Sequence, residues 1–375
     1  MQQADIYTKK NLKSYFGKSG RSSLSEKLLR EGFLPFVTNI KTEEIVIQFS
    51  GRSLIGTVND KEYDNTPICS PINLFCRYPK QRMKKIKGIW LKYFIMACTS
   101  GLSLIYRGAK INKVVQVNNK PADAIAYPKL TREEVKNCKK NLLAHFPDHS
   151  IIFPRIDKAT SPELIGYLLE EGFWLVPTKT SHIYHPDGRQ FKRSHTKRDF
   201  ALLKKQPYTF VPHEELFEND LERIHELYLM LFIEKHTREN PDLTLNFFKE
   251  SHKHEWYRYF GIRNKQGVID GFFAYEVQDG VMACGPLGYD TLMPQSKGLY
   301  RMLFAHSLRI ARENRWLFNF GGGNETFKMN RGSFREIAYT AVYCKHLPVY
   351  RRVPWWLMGK LGHRSIVKIL RSALF

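Results

Sequence analysis

The chain has 375 residues, 43% of them hydrophobic and 25% charged, an ordinary globular composition that excludes a disordered or fibrous protein. At about 150 residues per domain this length allows two domains, each large enough to bury its own core. Its 59 Lys and Arg against 36 Asp and Glu leave a formal charge of +23, which predicts an anionic partner: coenzyme A phosphates, a tRNA, a sugar nucleotide or an anionic membrane surface.

The elements read as follows in chain order. Asp5 and Lys9 stand where a signal peptide needs an apolar run. A helix over Ser23 to Glu31 precedes strands at Leu34 to Ile40 and Glu44 to Phe49. A basic run, Lys80 to Lys87, leads into a helix through Met96, and Leu102 to Arg107 and Lys113 to Val117 read as strands. The longest uncharged apolar stretch, Tyr93 to Tyr106, is too short for a membrane span. A helix over Thr131 to Phe146 starts at a Thr followed by Glu133 and Glu134. The first half closes as strand Ser150 to Arg155, helix Ser161 to Gly172 and strand Phe173 to His185. Six cysteines without a CxxC pair indicate neither a zinc site nor a disulfide framework, so a cytoplasmic protein, neither secreted nor membrane-spanning, is expected.

The bridge at 189–206 lays Phe191, Phe200, Leu202 and Leu203 beneath many cations and marks the domain boundary, as a wall of a polyanion groove or as a solvated linker helix. Then follow strand Tyr208 to Pro212, helices Asp220 to His236 and Leu243 to His252, and a hairpin of Tyr257 to Arg263 with Val268 to Val277. Strand Gly280 to Tyr289, helix Lys297 to Asn314, strand Trp316 to Phe320, a glycine turn and strand Ile337 to Lys345 complete the half. His236, His252 and His254 lack a carboxylate or cysteine partner at ligand spacing, so no metal is expected. The basic, aromatic tail from Val349 to Phe375 reads as a helix packed on the core with a basic outer face, or as a helix lying on anionic lipid.

Two motifs carry chemistry. In Asn319-Phe320-Gly321-Gly322-Gly323-Asn324-Glu325-Thr326-Phe327-Lys328, the glycines let the backbone turn tightly and approach a ligand. Lys328 places a cation at the same mouth or else lies on a solvated helix face. Gln295-Ser296-Lys297-Gly298-Leu299-Tyr300 precedes a helix whose first N–H groups suit an anion, and reads equally as a plain helix start.

The glycine stretch resembles the segment that marks FemAB/CelD-like members of the GNAT superfamily, with Asn319 and Phe327 where the family often has Asp and Tyr. The second motif is similar to the GNAT loop Q/R-x-x-G-x-G/A, with Tyr300 in place of the small final residue. The resemblance implies an α/β (α+β) chain of tandem GNAT-like domains, each a mixed, mostly antiparallel sheet flanked by helices. It divides the chain into a degenerate first unit, 1–190, a second unit, 191–348, and the tail, 349–375. It implies acyl transfer from acyl-CoA, bound by Gln295, Lys297, Gly298, Leu299 and Tyr300, to an amine of an amino sugar, amino acid or envelope precursor. Asn319, Gly321, Gly322, Gly323 and Asn324 would hold substrate.

Direct amine attack needs a proton acceptor and an oxyanion donor but no nucleophilic Ser or Cys. Lys328 is the candidate for the charge, Glu325 and Glu276 for the base, and Tyr339 or Tyr343 for a phenol, although alternate positions on a strand also suit packing. Aminoacyl-tRNA is the alternative donor, and a non-catalytic basic binding module the alternative function. No charged heptad array of the kind that holds tRNA in Fem-type enzymes is present in the sequence.

Overall fold

The computed structural model describes residues 4–11, 24–78, 100–205 and 207–362. The expected basic run and its helix, Lys80 through Met96, lie outside them, as does the tail beyond residue 362. Their strands form one twelve-stranded sheet in the order β1-β2-β3-β4-β5-β12-β6-β11-β10-β9-β8-β7. The first six are β1 (Asp5–Tyr7), β2 (Glu43–Phe49), β3 (Arg52–Asn59), β4 (Val114–Val117), β5 (Ser150–Ile156) and β6 (Trp174–Tyr184). The last six are β7 (Thr209–Pro212), β8 (Arg258–Arg263), β9 (Ile269–Gln278), β10 (Val281–Tyr289), β11 (Leu317–Asn319) and β12 (Phe334–Tyr343).

The order is symmetric about its centre. β4 pairs β5 in parallel, β10 pairs β11 in parallel, and the remaining neighbours are antiparallel. Each half contributes five strands on its own side and sends its sixth across. β12 lies between β5 and β6, and β6 lies between β11 and β12. The exchanged strands are long, 11 residues in β6 and 10 in β12, and pair from Phe334↔Ile183 to Val342↔Trp174. Ile337 to Val342 of β12 and Ser181 to Tyr184 of β6 are buried without a break, as in strands covered on both faces.

Helices cover this sheet: α1 (Leu24–Glu31), α2 (Arg132–His145), α3 (Pro162–Glu170), α4 (Ser194–Lys205), α5 (Glu218–Tyr228), α6 (Leu245–Lys253), α7 (Leu299–Glu313), α8 (Glu325–Asn330) and α9 (Val349–Leu361). The expected capping box opens α2, with Thr131 accepting from Glu134 N–H while the Glu134 side chain returns to the Thr131 N–H. Among the described residues no helix is long and apolar enough to cross a membrane.

Two expected strands are absent. Leu34 to Ile40 forms a turn, because Pro35 lacks an N–H and the amides of Phe36 and Val37 fold back to the Phe33 carbonyl. That turn instead ties the halves together, Thr38 N–H donating to Asp242 O and Thr244 N–H to Phe36 O. Residues 100–108 are helical, with Tyr106 buried and Leu102, Leu104 and Ile105 exposed. A short apolar run fits either period, and the packing of Tyr106 decides it. In the tail, α9 packs on β6 through Trp355 and Met358, as expected, but its outer face is apolar rather than basic.

Because each half takes its sixth strand from the other, residues 191–375 expressed alone, without β6, should show no cooperative unfolding transition. Mixing them with residues 1–190 should restore one. Two independent transitions for the separate fragments, read by circular dichroism, would contradict the exchange.

Candidate functional site

β10 and β11 pair in parallel only over Val281–Ala283 and Leu317–Asn319. Beyond that point β10 carries on to Tyr289 through an irregularity between Cys284 and Leu287, where Pro286 supplies no N–H. β11 instead ends at Asn319 and turns through the glycines into α8, so the two strands part and leave a wedge.

The turn is held from below. Lys328, 2% exposed, sits on the first turns of α8 with its Nζ donating to the carbonyls of Phe320 (3.3 Å), Gly321 (3.2 Å) and Gly322. The solvated reading of Lys328 is therefore excluded. Burial lowers its ammonium to about 8, the charges of Asp123 and Cys284 acting the other way and Lys179 adding to the fall. Asn319 is also buried; its Oδ1 accepts from Gly321 N–H at 2.9 Å and its Nδ2 donates to Asp157 Oδ2 at 3.1 Å.

The first half supplies the rest of the site, which the sequence reading missed. Asp123, on the loop after β4, accepts from Gly322 N–H at 2.8 Å and from Lys179 of β6. Partial loss of solvent opposes its charge, but the Lys179 ammonium, the Gly322 amide and Lys328 hold it well below the usual carboxylate range. His182, next along β6, exchanges backbone hydrogen bonds with the turn, donating to Gly321 O (3.0 Å) and accepting from Phe320 N–H (2.9 Å). Burial, with Lys328 and Arg335 adding to it, holds its imidazole down to about 3, so the ring is neutral at Ser333 Oγ. The available signal was the turn-forming run Asn118-Asn119-Lys120-Pro121 at the end of a strand.

The same loop reaches the second candidate base. Glu276 on β9 accepts from Ala126 N–H at 3.0 Å and pairs with Lys120. It lines a cleft of about 630 Å³ between the halves, with Arg52, Asn118, Lys120, Trp256 and Tyr257 among the walls. Tyr257 Oη, Trp256 Nε1 and Asn118 Oδ1 are buried there without a protein hydrogen-bond partner. Orphaned polar atoms gathered on one concave surface suit a polar ligand.

The other expected residues are dispersed. Glu325, at the start of α8, lies 2.9 Å from Arg335 Nε, and burial raises its carboxyl while Arg335 opposes the rise. Tyr339 lies in the core cluster with Tyr127 and Phe153, and Tyr343 packs at its edge. Gly323 and Asn324 are exposed, and Asn324 caps α8. Gln295 and Lys297 are exposed, whereas Gly298 and Leu299 are buried. Gly298 has φ +71° and a Cβ there would stand 2.4 Å from Leu202 of α4, so its backbone conformation and this close approach favour a glycine without any ligand. Tyr300 fills the wedge floor against Phe327, with ring centroids 4.9 Å apart. α4 is locked over this loop by buried Asp199, which accepts from Arg301 at 2.6 Å and from Arg331.

This arrangement, five strands from each half flanking the exchanged pair β12 and β6, with the parallel strands β10 and β11 parting within the second half, is a GNAT-like fold, repeated in tandem. FemX shares it: similarity extends over 93% of this chain and 99% of that one, with 10% identity and a TM-score of 0.50. L-PGS from Bacillus licheniformis matches 61% of this chain and 77% of its own at 16% identity and a TM-score of 0.45. A tandem GNAT protein from the clavulanic acid biosynthesis pathway matches 91% and 98% at 10% identity and a TM-score of 0.39. At such identities the likeness is one of fold. No protein-family model and no curated protein matches the sequence. Among the described residues no group of His, Cys, Asp and Glu could hold a metal ion.

Two outcomes test this geometry. Burial raises the Asp157 carboxyl from 3.8 to about 6, so the folded state holds its proton more tightly than the unfolded chain. Stability should therefore fall as pH rises from about 4 to about 6, by about 3 kcal/mol, and Asp157→Asn should flatten that slope in denaturant titrations. Gly321, at φ +71°, would place a Cβ 2.3 Å from Asp123 Oδ2. Gly321→Ala should destabilise the protein by about 1–3 kcal/mol in the same titrations.

Proposed function

We propose that this protein is an N-acyltransferase in which the activated acyl carbonyl lies over the glycine turn, the buried Lys328 charge acts on it from beneath, and the cleft at Glu276 receives the amine. The observation that carries it is the buried Lys328 ammonium fixed beneath the three backbone carbonyls of the turn that follows β11. The amine nitrogen attacks the carbonyl carbon, negative charge grows on the acyl oxygen, and the bond to the leaving group breaks. The proton released from the attacking nitrogen passes to Glu276. A cation already desolvated and fixed in place stabilises the developing charge without reorganising at that moment. Asp123, Lys179 and His182 act through the turn as positioning residues, and Asn319 keeps Gly321 in register. The acceptor is an amine on an amino sugar, an amino acid or an envelope precursor, and its polar remainder meets Tyr257, Trp256 and Asn118 in the cleft.

The donor is acyl-CoA in the first reading, with its phosphates at the start of α7 near Gln295, Lys297 and Tyr300. One observation favours aminoacyl-tRNA as a second reading. α4 closes over that loop and presents exposed Lys197, Arg198, Lys204 and Lys205 along a helix about 18 Å long. A stripe of that length suits a run of phosphates rather than one pyrophosphate. On either reading the working location is the cytoplasm.

Lys328→Met keeps the volume and removes the charge. It should lower kcat about 100-fold or more in single-turnover transfer while the protein stays folded by circular dichroism. Transfer by the wild type should fall as pH rises through about 8, where the Lys328 ammonium loses its proton, and Lys328→Arg should move that limb upward. Full activity of Lys328→Met would remove this residue from the mechanism.

A further inference from the structure

A surface helix of a globular protein ordinarily shows one apolar face to the core and one polar face to water. α9 does not. Its inner face is buried through Pro354, Trp355 and Met358, yet its outer face exposes Val349 (62%), Val353 (42%), Trp356 (46%) and Leu361 (57%), with Tyr350 and Leu357 beside them. Positions 349, 353, 356, 357, 360 and 361 fall on one side of a helix, and of these only Lys360 is charged.

A second apolar face adjoins it. The helix at 100–108 sends Tyr106 into the same buried cluster as Trp355 and Met358 and exposes Leu104 (71%), Ile105 (63%) and Leu102. Arg351 of α9 donates to Lys110 O, just past the end of that helix, so the two helices are fastened to each other. Exposed Arg107, Lys110, Lys345 and Lys360 border the two faces. The nearby carboxylates of Asp60 and Asp148 are already paired with Lys113.

We propose that this two-helix face docks on an anionic lipid bilayer, with Trp356, Leu357, Val353, Leu104 and Ile105 entering the headgroup and acyl boundary. The occupant follows from the charge. A protein partner or a second copy would bury the apolar residues equally well, but a second copy brings the same cations to the same rim. An anionic bilayer takes up both the apolar area and the positive rim, and each basic residue near such a surface adds to binding. The sequence entering the first helix, 79–99, and that leaving the second, 363–375, contains Lys and Arg and neither Asp nor Glu. The inference is independent of the acyl-transfer reading, since it needs neither donor nor turnover.

The test is flotation of the purified full chain with vesicles of neat phosphatidylcholine, or of phosphatidylcholine mixed with phosphatidylglycerol in equal parts. Sedimentation without lipid is measured in parallel. Partition onto the mixed vesicles should exceed that onto neat ones about tenfold. The triple variant Val353→Glu, Trp356→Glu, Leu357→Glu should lose it while keeping the wild-type circular dichroism and sedimentation. Because these side chains are exposed, the fold does not depend on them. Equal partition of variant and wild type, or equal binding to neat and anionic vesicles, would overturn the proposal. So would a wild-type dimer that the variant converts to monomer.

Discussion

The exchange of β6 and β12 is the constraint on which the rest of the molecule depends. A sheet interrupted at its middle would expose unpaired N–H and C=O groups on both sides of the gap. Here each half fills the other's gap, so neither closes its sheet alone and the halves are held in one register from Phe334↔Ile183 to Val342↔Trp174. Lys179 and His182 belong to the first half by sequence, but the exchange sets them beside the glycine turn of the second. The loop after β4 is brought to the same place, and its Asp123 and Ala126 reach Gly322 and Glu276.

That convergence is what allows a lysine to be buried under a turn. An isolated ammonium moved out of water costs several kcal/mol even after relaxation, and would normally surrender its proton instead. Lys328 is pushed part of the way, to about 8, but three carbonyls accept its N–H groups and Asp123 supplies a nearby negative charge. Lys179 in turn keeps Asp123 ionised. The chain of contacts Lys179, Asp123, Gly322, Lys328 thus runs from the first half into the second, and each member depends on the others for its charge state.

Most of the second half was legible in the sequence because its elements are long and separated by turn signals. The hairpin of β8 and β9, the crossover helix α7 and the glycine turn lie where periodicity and Gly, Pro and Asn positions put them. The buried state of Lys328 was not legible, since the residue's spacing from the glycines fits an exposed helix face equally well. The contribution of the first half was hidden for a different reason. Asp123, Lys179 and Asp157 are separated from the glycine turn by about 140 to 200 positions and join it only through the strand exchange. Leu102 to Arg107 was misread because a six-residue apolar run carries no decisive period. The apolar outer face of α9 was masked by the Lys and Arg interleaved with it, several of which turn to the flanks or, like Arg351, bond backbone carbonyls.

On the proposed reading, the glycine turn, the fixed cation beneath it and the polar cleft form a site for moving an acyl group to an amine. Calorimetry of the wild-type chain and of Lys328→Met, each titrated with acetyl-CoA, a long-chain acyl-CoA and bulk aminoacyl-tRNA, tests it most directly. Saturable binding of one of these donors by the wild type, retained by the variant while its single-turnover transfer falls, is the result the account predicts. Binding of none of them, or transfer by the variant as fast as by the wild type, would contradict it.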